Sequence, residues 1–153
     1  MDHDSPRFRL WPPVAIAAPW SVGFVLGREL GEGAELDAGL VLIGWVCIAA
    51  FAVWNGWCLL LFARADTGLL PGQSTTSLLT SGPYRVSRNP LYVGLLVLYV
   101  GCALVAEAVL PLVLLPVAWA GLHWGAVLPE ERYLNTVLGA PYQEYCQHVR
   151  RWL

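Results

Sequence analysis

Apolar residues in this chain come in long unbroken runs, not in the short alternations of a water-soluble fold. Residues 10–27 carry no charged side chain, although Pro12, Pro13 and Pro19 interrupt them. Residues 38–63 form an uncharged run of 26, residues 89–106 one of 18, and residues 108–129 one of 22. A helix needs about 20 consecutive apolar residues to cross a bilayer. The second and fourth runs satisfy that outright, and the first is expected to be kinked or short. Only Glu107 separates the third run from the fourth, with Pro111 close behind, which predicts a tight helical hairpin. The expected architecture is all-α, a polytopic membrane protein of about four transmembrane helices forming one domain over residues 1–153.

Beyond the fourth run the pattern changes. PEERYLNTVLGAP opens with Pro129 and reaches Gly139, a helix start and stop. Tyr142, Tyr145, Cys146, Val149 and Trp152 then recur at spacings of three and four, predicting an amphipathic helical tail on the membrane surface. Composition agrees with the membrane class. Of 153 residues 57% are hydrophobic and only 13% charged, and so short a soluble chain could not hide that much apolar surface. The net charge of -2 gives no reason to expect nucleic acid as a partner. The four cysteines (Cys47, Cys58, Cys102, Cys146) lack metal-ligand spacing and read as packing residues. No metal site is expected, and the acidic start MDHDSPRFRL does not read as a signal peptide.

Charge placement adds an orientation. All nine basic residues are arginine, so every cationic site is a permanently charged planar fork. Arg7, Arg9, Arg64, Arg85, Arg88, Arg132, Arg150 and Arg151 fall on one side of the four-span arrangement, and Arg28 alone, among Glu29, Glu32, Glu35 and Asp37, on the other. Both termini and the 64–90 loop are therefore expected on the cytoplasmic side. The tryptophans mostly flank the runs, as an aromatic belt would.

Polar side chains that could carry chemistry concentrate at that same side. The connection from 64 to 90 is longer than a structural loop usually needs. It ends in SGPYRVSRNPLY, where Gly82-Pro83 makes a turn and Asn89-Pro90 a helix cap and first turn. Read alone, this is equally a helix entry with interfacial Tyr and Arg anchors. Glu130-Glu131 form a second cluster, which a helix dipole alone would favour in a first turn. Within the runs, Asn55 is expected to make an interhelical hydrogen bond, and His123 a structural hydrogen bond in preference to a role near substrate.

The two polar clusters carry a resemblance. SGPYRVSRNPLYVG, then a helical hairpin, then PEERYLNTVLGAPYQEYCQHVRRW resembles the isoprenylcysteine carboxyl methyltransferase and phospholipid methyltransferase superfamily over residues 64–153. That resemblance implies an integral-membrane methyltransferase using S-adenosylmethionine, its cofactor at the cytosolic end of the helices beneath the C-terminal tail. It further implies a small lipophilic or membrane-delivered acceptor, methylated at carboxyl oxygen, amine nitrogen or thiol sulfur. Carried over residue by residue, Arg88, Asn89, Pro90 and Tyr92 line the cofactor pocket and Glu130 or Glu131 closes it. Tyr84, Arg85, Tyr142 and Tyr145 are further cofactor-binding candidates, and Glu131 and Arg150 are the catalytic candidates. Many members carry His where this chain has Asn89, and Asn cannot act as a titrating base. The expected partners are the bilayer and a lipid-like substrate, in a bacterial inner membrane. The competing readings are a reductase related to membrane sterol reductases and a non-catalytic scaffold of the same fold.

Overall fold

The structure is a computed structural model that describes residues 10–31, 35–65 and 78–153. Arg7, Arg9, Glu32 and residues 66–77 of the 64–90 connection lie outside the described residues. Among the described residues every regular element is helical: α1 (Pro12–Glu29), α2 (Ala38–Ala65), a short 3-10 turn (Gly82–Arg85), α3 (Pro90–Val105), α4 (Val109–Val113), α5 (Leu115–Leu122), a π-helical turn (His123–Val127), α6 (Leu128–Leu138) and α7 (Ala140–His148). One helix among them, over Ala38–Arg64, is both long and apolar enough to cross a membrane unaided. The 16 residues of α3 reach about 24 Å at helical rise, short of a full hydrocarbon core.

The hairpin at Glu107 forms as expected, with α3 ending at Val105 and α4 starting at Val109. Glu107 itself sits at φ 52, and its carboxylate accepts the Leu36 N–H at 2.8 Å. That bond ties the α1–α2 connection to the α3–α4 hairpin at one end of the bundle. At the other end, the Leu10 N–H donates to the Gly125 carbonyl at 3.2 Å, and the Arg88 N–H to the Arg150 carbonyl at 2.9 Å. Both described chain ends therefore lie at the end of the bundle that holds the polar motifs.

Helix α2 packs along α3, while α1 packs against α4 and α5. The α2–α3 seam is backbone-close, because a Cβ at Gly44 would stand 2.9 Å from the Gly101 carbonyl oxygen and the converse distance is equally 2.9 Å. Without a hydrophobic drive between helices in lipid, such small-residue approaches give the van der Waals contact that holds the pair. Nearer the polar end, Asn55 donates from Nδ2 to the Leu91 carbonyl at 3.2 Å, the expected interhelical bond. Trp54 donates from Nε1 to the Pro90 carbonyl at 2.8 Å.

Three expectations need correction. The fourth apolar run is not one regular helix. It bends at Leu114 (φ -85, ψ 0) before Pro116 and passes through the π turn. Second, Glu130 and Glu131 are not at a free helix start, because Val127 before them is itself helical at φ -61, ψ -51. A proline in a first turn predicts an N-terminus from sequence, yet here the preceding π turn already redirects the hydrogen bonds that Pro129 cannot make. Third, the tail is helical only to His148. Val149 is extended at φ -122, ψ 131, and the last residues run back across the polar end instead of continuing a surface helix.

Candidate functional site

The site is built where three pieces of chain meet: the Ser87–Tyr92 entry to α3, the start of α6, and the extended tail. Asn89 is not a side-chain helix cap. Its Nδ2 instead donates to the Arg151 carbonyl at 2.9 Å, and Ser87 Oγ donates to the same carbonyl at 3.3 Å. With the Arg88–Arg150 backbone bond, these hold the tail against the motif. Tyr145 adds a fourth tie through its hydroxyl, donated to the Tyr84 carbonyl at 2.6 Å.

Glu131 is the electrostatic centre. Arg151 grips its carboxylate as a fork, Nε donating to both oxygens at 3.0 Å and Nη2 lying 2.8 Å from Oε2. Arg88 approaches from the other side, Nη1 3.2 Å from Oε1, and the same Nη1 donates to Cys146 Sγ at 2.7 Å. Bidentate guanidinium–carboxylate pairing is the strongest common polar contact. The bond from Arg151 to Glu131 raises the guanidinium pKa further. Cys146 therefore contacts the site, while Cys58 is a buried packing residue.

Glu130, next along the chain, takes a separate hydrogen bond from the Tyr92 hydroxyl at 2.8 Å. Burial raises its carboxyl pKa, and the charge of Glu131 adds to the rise against the lowering effect of Tyr92. The phenols of Tyr84 and Tyr142 are pushed up chiefly by burial, and that of Tyr145 to about 12, burial outweighing the lowering effect of Arg88. All three stay protonated donors at neutral pH.

Several buried polar atoms at this end find no partner among the described residues: Arg88 Nε, His123 Nδ1 and Trp152 Nε1. Buried donors and acceptors are nearly always satisfied, so their clustering beside the paired charges leaves hydrogen-bonding capacity for a ligand. His123 stacks on Trp119 with ring centroids 5.1 Å apart and lies 6.2 Å from the ring of Trp152. The structural hydrogen bond expected of His123 is absent at Nδ1.

The structure thus brings together Arg88, Asn89, Tyr92, Glu130 and Glu131, with Tyr84, Tyr142 and Tyr145 buried around them. Pro90 is buried and faces α2 through its carbonyl. Arg85 and Arg150 have exposed side chains. Arg85 lines a groove of about 490 Å³ with Glu144 and His148 on the outer side of α7. In place of Arg150, the guanidinium that reaches Glu131 is that of Arg151. The chain leaves the helix at Val149 with extended torsions, and beyond it Arg150 is exposed while Arg151 is half-buried. Reading the tail as a continuing helix hid that turn. Trp54 and Ser87 were also missed, since neither carries a signal beyond its residue type. Among the described residues no three His, Cys, Asp or Glu side chains gather as a metal site.

Comparison with known proteins places this geometry in context. The phospholipid methyltransferase family matches residues 38–140. A nickel-cobalt-cadmium resistance protein, NccN, of Alcaligenes xylosoxydans xylosoxydans is 28% identical over 130 residues, 85% of this chain and 55% of that protein. A cobalt-zinc-cadmium resistance protein, CzcN, of Cupriavidus metallidurans is 26% identical over 145 residues, 95% of this chain and 61% of that protein. The chain therefore spans only 55% and 61% of the lengths of these two relatives. No solved structure matches.

Proposed function

Because this chain belongs to the phospholipid methyltransferase family, we propose that it is an S-adenosylmethionine-dependent methyltransferase of the membrane, acting on a small lipophilic or membrane-delivered acceptor. The observation that carries the reading is the Arg88–Glu131–Arg151 cluster with Tyr92–Glu130 beside it, closed over by the tail. The residues present fit the cofactor. Arg88 Nε and Trp152 Nε1 are buried donors without partners, suited to a carboxylate. Glu130, held by Tyr92, offers a carboxylate for an ammonium group or ribose hydroxyls.

When bound, the cofactor supplies a methyl group already activated on a sulfonium centre. What remains for the protein is to orient and to exclude water. Arg151 locks the tail down on Glu131, Asn89 and Ser87 hold the Arg151 carbonyl, and Tyr145 secures α7 to the 3-10 turn. The tail is the cover that dries the site. The lipid-facing helices admit the acceptor from the bilayer, with both termini on the cytoplasmic side of a bacterial inner membrane.

The relatives are named for resistance to nickel, cobalt, zinc and cadmium. A methyl group placed on a carboxylate, amine or thiol removes a ligand for such cations, and this chain's product would act in that way. Calorimetry on detergent-purified protein tests the reading. S-adenosylhomocysteine is expected to bind and NADPH not to. Binding of NADPH alone would favour a reductase, and binding of neither a scaffold.

A further inference from the structure

We infer that His123 accepts the proton of the incoming methyl acceptor, and hence that this acceptor is a thiol or an amine, not a carboxylate. The inference rests on the methyltransferase reading above and narrows its substrate class.

A base is needed only if the nucleophilic atom carries a proton. The other groups at the site already hold partners or roles, Cys146 Sγ among them as acceptor from Arg88 Nη1. Glu131 is held by two guanidiniums, Glu130 accepts the Tyr92 hydroxyl, and the Asn89 amide has no titrating proton. Tyr84, Tyr142 and Tyr145 remain protonated at neutral pH. The His123 imidazole is different. Its Nδ1 is buried without a partner, and with a hydrogen on Nε2 that atom is a free acceptor.

Its surroundings suit the task. Trp119 stacks on the ring at 5.1 Å and 6°, Trp124 meets it edge-on at 5.3 Å, and Trp152 of the tail lies tilted at 6.2 Å. These indoles hold the imidazole plane by stacking, with Nδ1 buried and the residue as a whole half-buried. The charged groups within electrostatic reach are Glu131 from α6 and Arg151 from the tail, paired with each other and joined by Arg88 on the far side of Glu131. The ring also sits at the first residue of a π-helical turn, a distortion that recurs at functional sites. Trp124, packed against the ring, is half exposed at the surface.

The step balances as a single displacement. The acceptor's lone pair forms the new bond to the methyl carbon, and the carbon–sulfur bond breaks with its pair returning to the sulfonium sulfur. A thiol gives its proton to His123 as the new bond forms, whereas an ammonium gives one to His123 beforehand to free its lone pair. In either case the proton passes from there to solvent. A carboxylate carries no proton at neutral pH and gains nothing from this group.

The test uses the full chain in detergent with saturating S-adenosylmethionine, offered octanethiol, decylamine or decanoate. Octanethiol or decylamine is expected to be methylated and decanoate not. His123→Gln should slow transfer about 100-fold or more, the usual loss of a general base, with affinity for S-adenosylhomocysteine retained. Imidazole accepts a proton only when neutral, so the wild-type rate should fall below neutral pH and that limb should vanish in His123→Gln. Added imidazole should restore rate to His123→Ala, which a packing role would not allow. An unchanged rate and pH profile in His123→Gln would overturn the inference. So would loss of S-adenosylhomocysteine binding in that variant, methylation of decanoate as fast as the others, or a wild type that binds S-adenosylhomocysteine and methylates neither thiol nor amine. If neither variant folds, the wild-type preference among the three probes decides. A wild type that binds no S-adenosylhomocysteine defeats the underlying methyltransferase reading instead.

Discussion

Glu131→Gln keeps the size of the side chain and removes the charge that balances two guanidiniums. The side chains of Arg88 and Glu131 are 14% and 13% exposed, so solvent screens them little, whereas Arg151 at 38% is partly solvated. Removing one partner of a buried pair costs about 3–5 kcal/mol. The exposure of Arg151 and the one acceptor oxygen that Gln retains reduce this to about 2–3 kcal/mol. Arg151 is the side chain through which the tail grips α6, so the loss falls on tail docking. At 1.36 kcal/mol per decade, the ratio of docked to undocked tail should drop about 30- to 200-fold. Hydrogen exchange reads this directly at Arg88, whose N–H bonds to the Arg150 carbonyl at 2.9 Å only while the tail is down. Protection there should fall by the same factor, with amides inside α2 unchanged. Arg151→Lys should give an intermediate loss, since an ammonium cannot make the fork. Unchanged protection at Arg88 in Glu131→Gln would refute the reasoning and assign docking to Tyr145 and the backbone ties alone.

Glu130→Gln should make stability less dependent on pH. Burial raises the folded carboxyl pKa, so its contribution is full below the unfolded pKa and is lost as pH rises through the folded one. As pH rises above about 4, the usual carboxyl range, the wild type should therefore lose melting temperature relative to Glu130→Gln. Truncation after Leu138 removes every tail contact to the site and should abolish methyl transfer while the apolar helices still insert. Labelled-cofactor transfer and membrane fractionation check the two halves of that statement, and full activity would remove the tail from the mechanism. Gly101→Val places a side chain where a Cβ already meets the Gly44 carbonyl oxygen at 2.9 Å, and should cost about 1–3 kcal/mol by forcing α2 and α3 apart. Thermal melting in detergent measures it. Cysteines placed at Ser5 and at Glu32 should label from opposite membrane faces, and labelling from one face would remove the four-span topology.

The helices and their order were legible because lipid and helix geometry act on runs of residues, and runs survive in a single sequence. The hairpin at Glu107, the Asn55 bond across α2 and α3, and the gathering of Arg88, Tyr92, Glu130 and Glu131 all follow from such runs and from where charges interrupt them. What was not legible depends on single backbone torsions. Pro129 looked like a helix start, yet Val127 is already helical. Arg150 and Arg151 are chemically identical and adjacent, and only the extended torsions of Val149 decide which one meets Glu131. Asn89 looked like a cap and is instead a clasp for the tail, because the tail's course is a long-range contact that no local pattern encodes. His123 was expected to be satisfied within the bundle, and a missing partner cannot be read from composition.

The π turn at His123–Val127 acts as a phase shifter. An α-helix advances about 100° per residue, so one additional residue per turn rotates everything beyond it by about that angle relative to everything before. Trp119 lies before the shift, His123 opens it, and Glu130 and Glu131 come after it. With an unbroken α-helix, the face that carries the imidazole and the face that carries the carboxylates would stand about a quarter-turn out of their present alignment. Both sets of chemistry can converge on one tail only because the rod is underwound by that step. Deleting a single residue between 123 and 127 would leave every side chain named above in the protein and swing the two acidic residues out of register with Arg88 and Arg151.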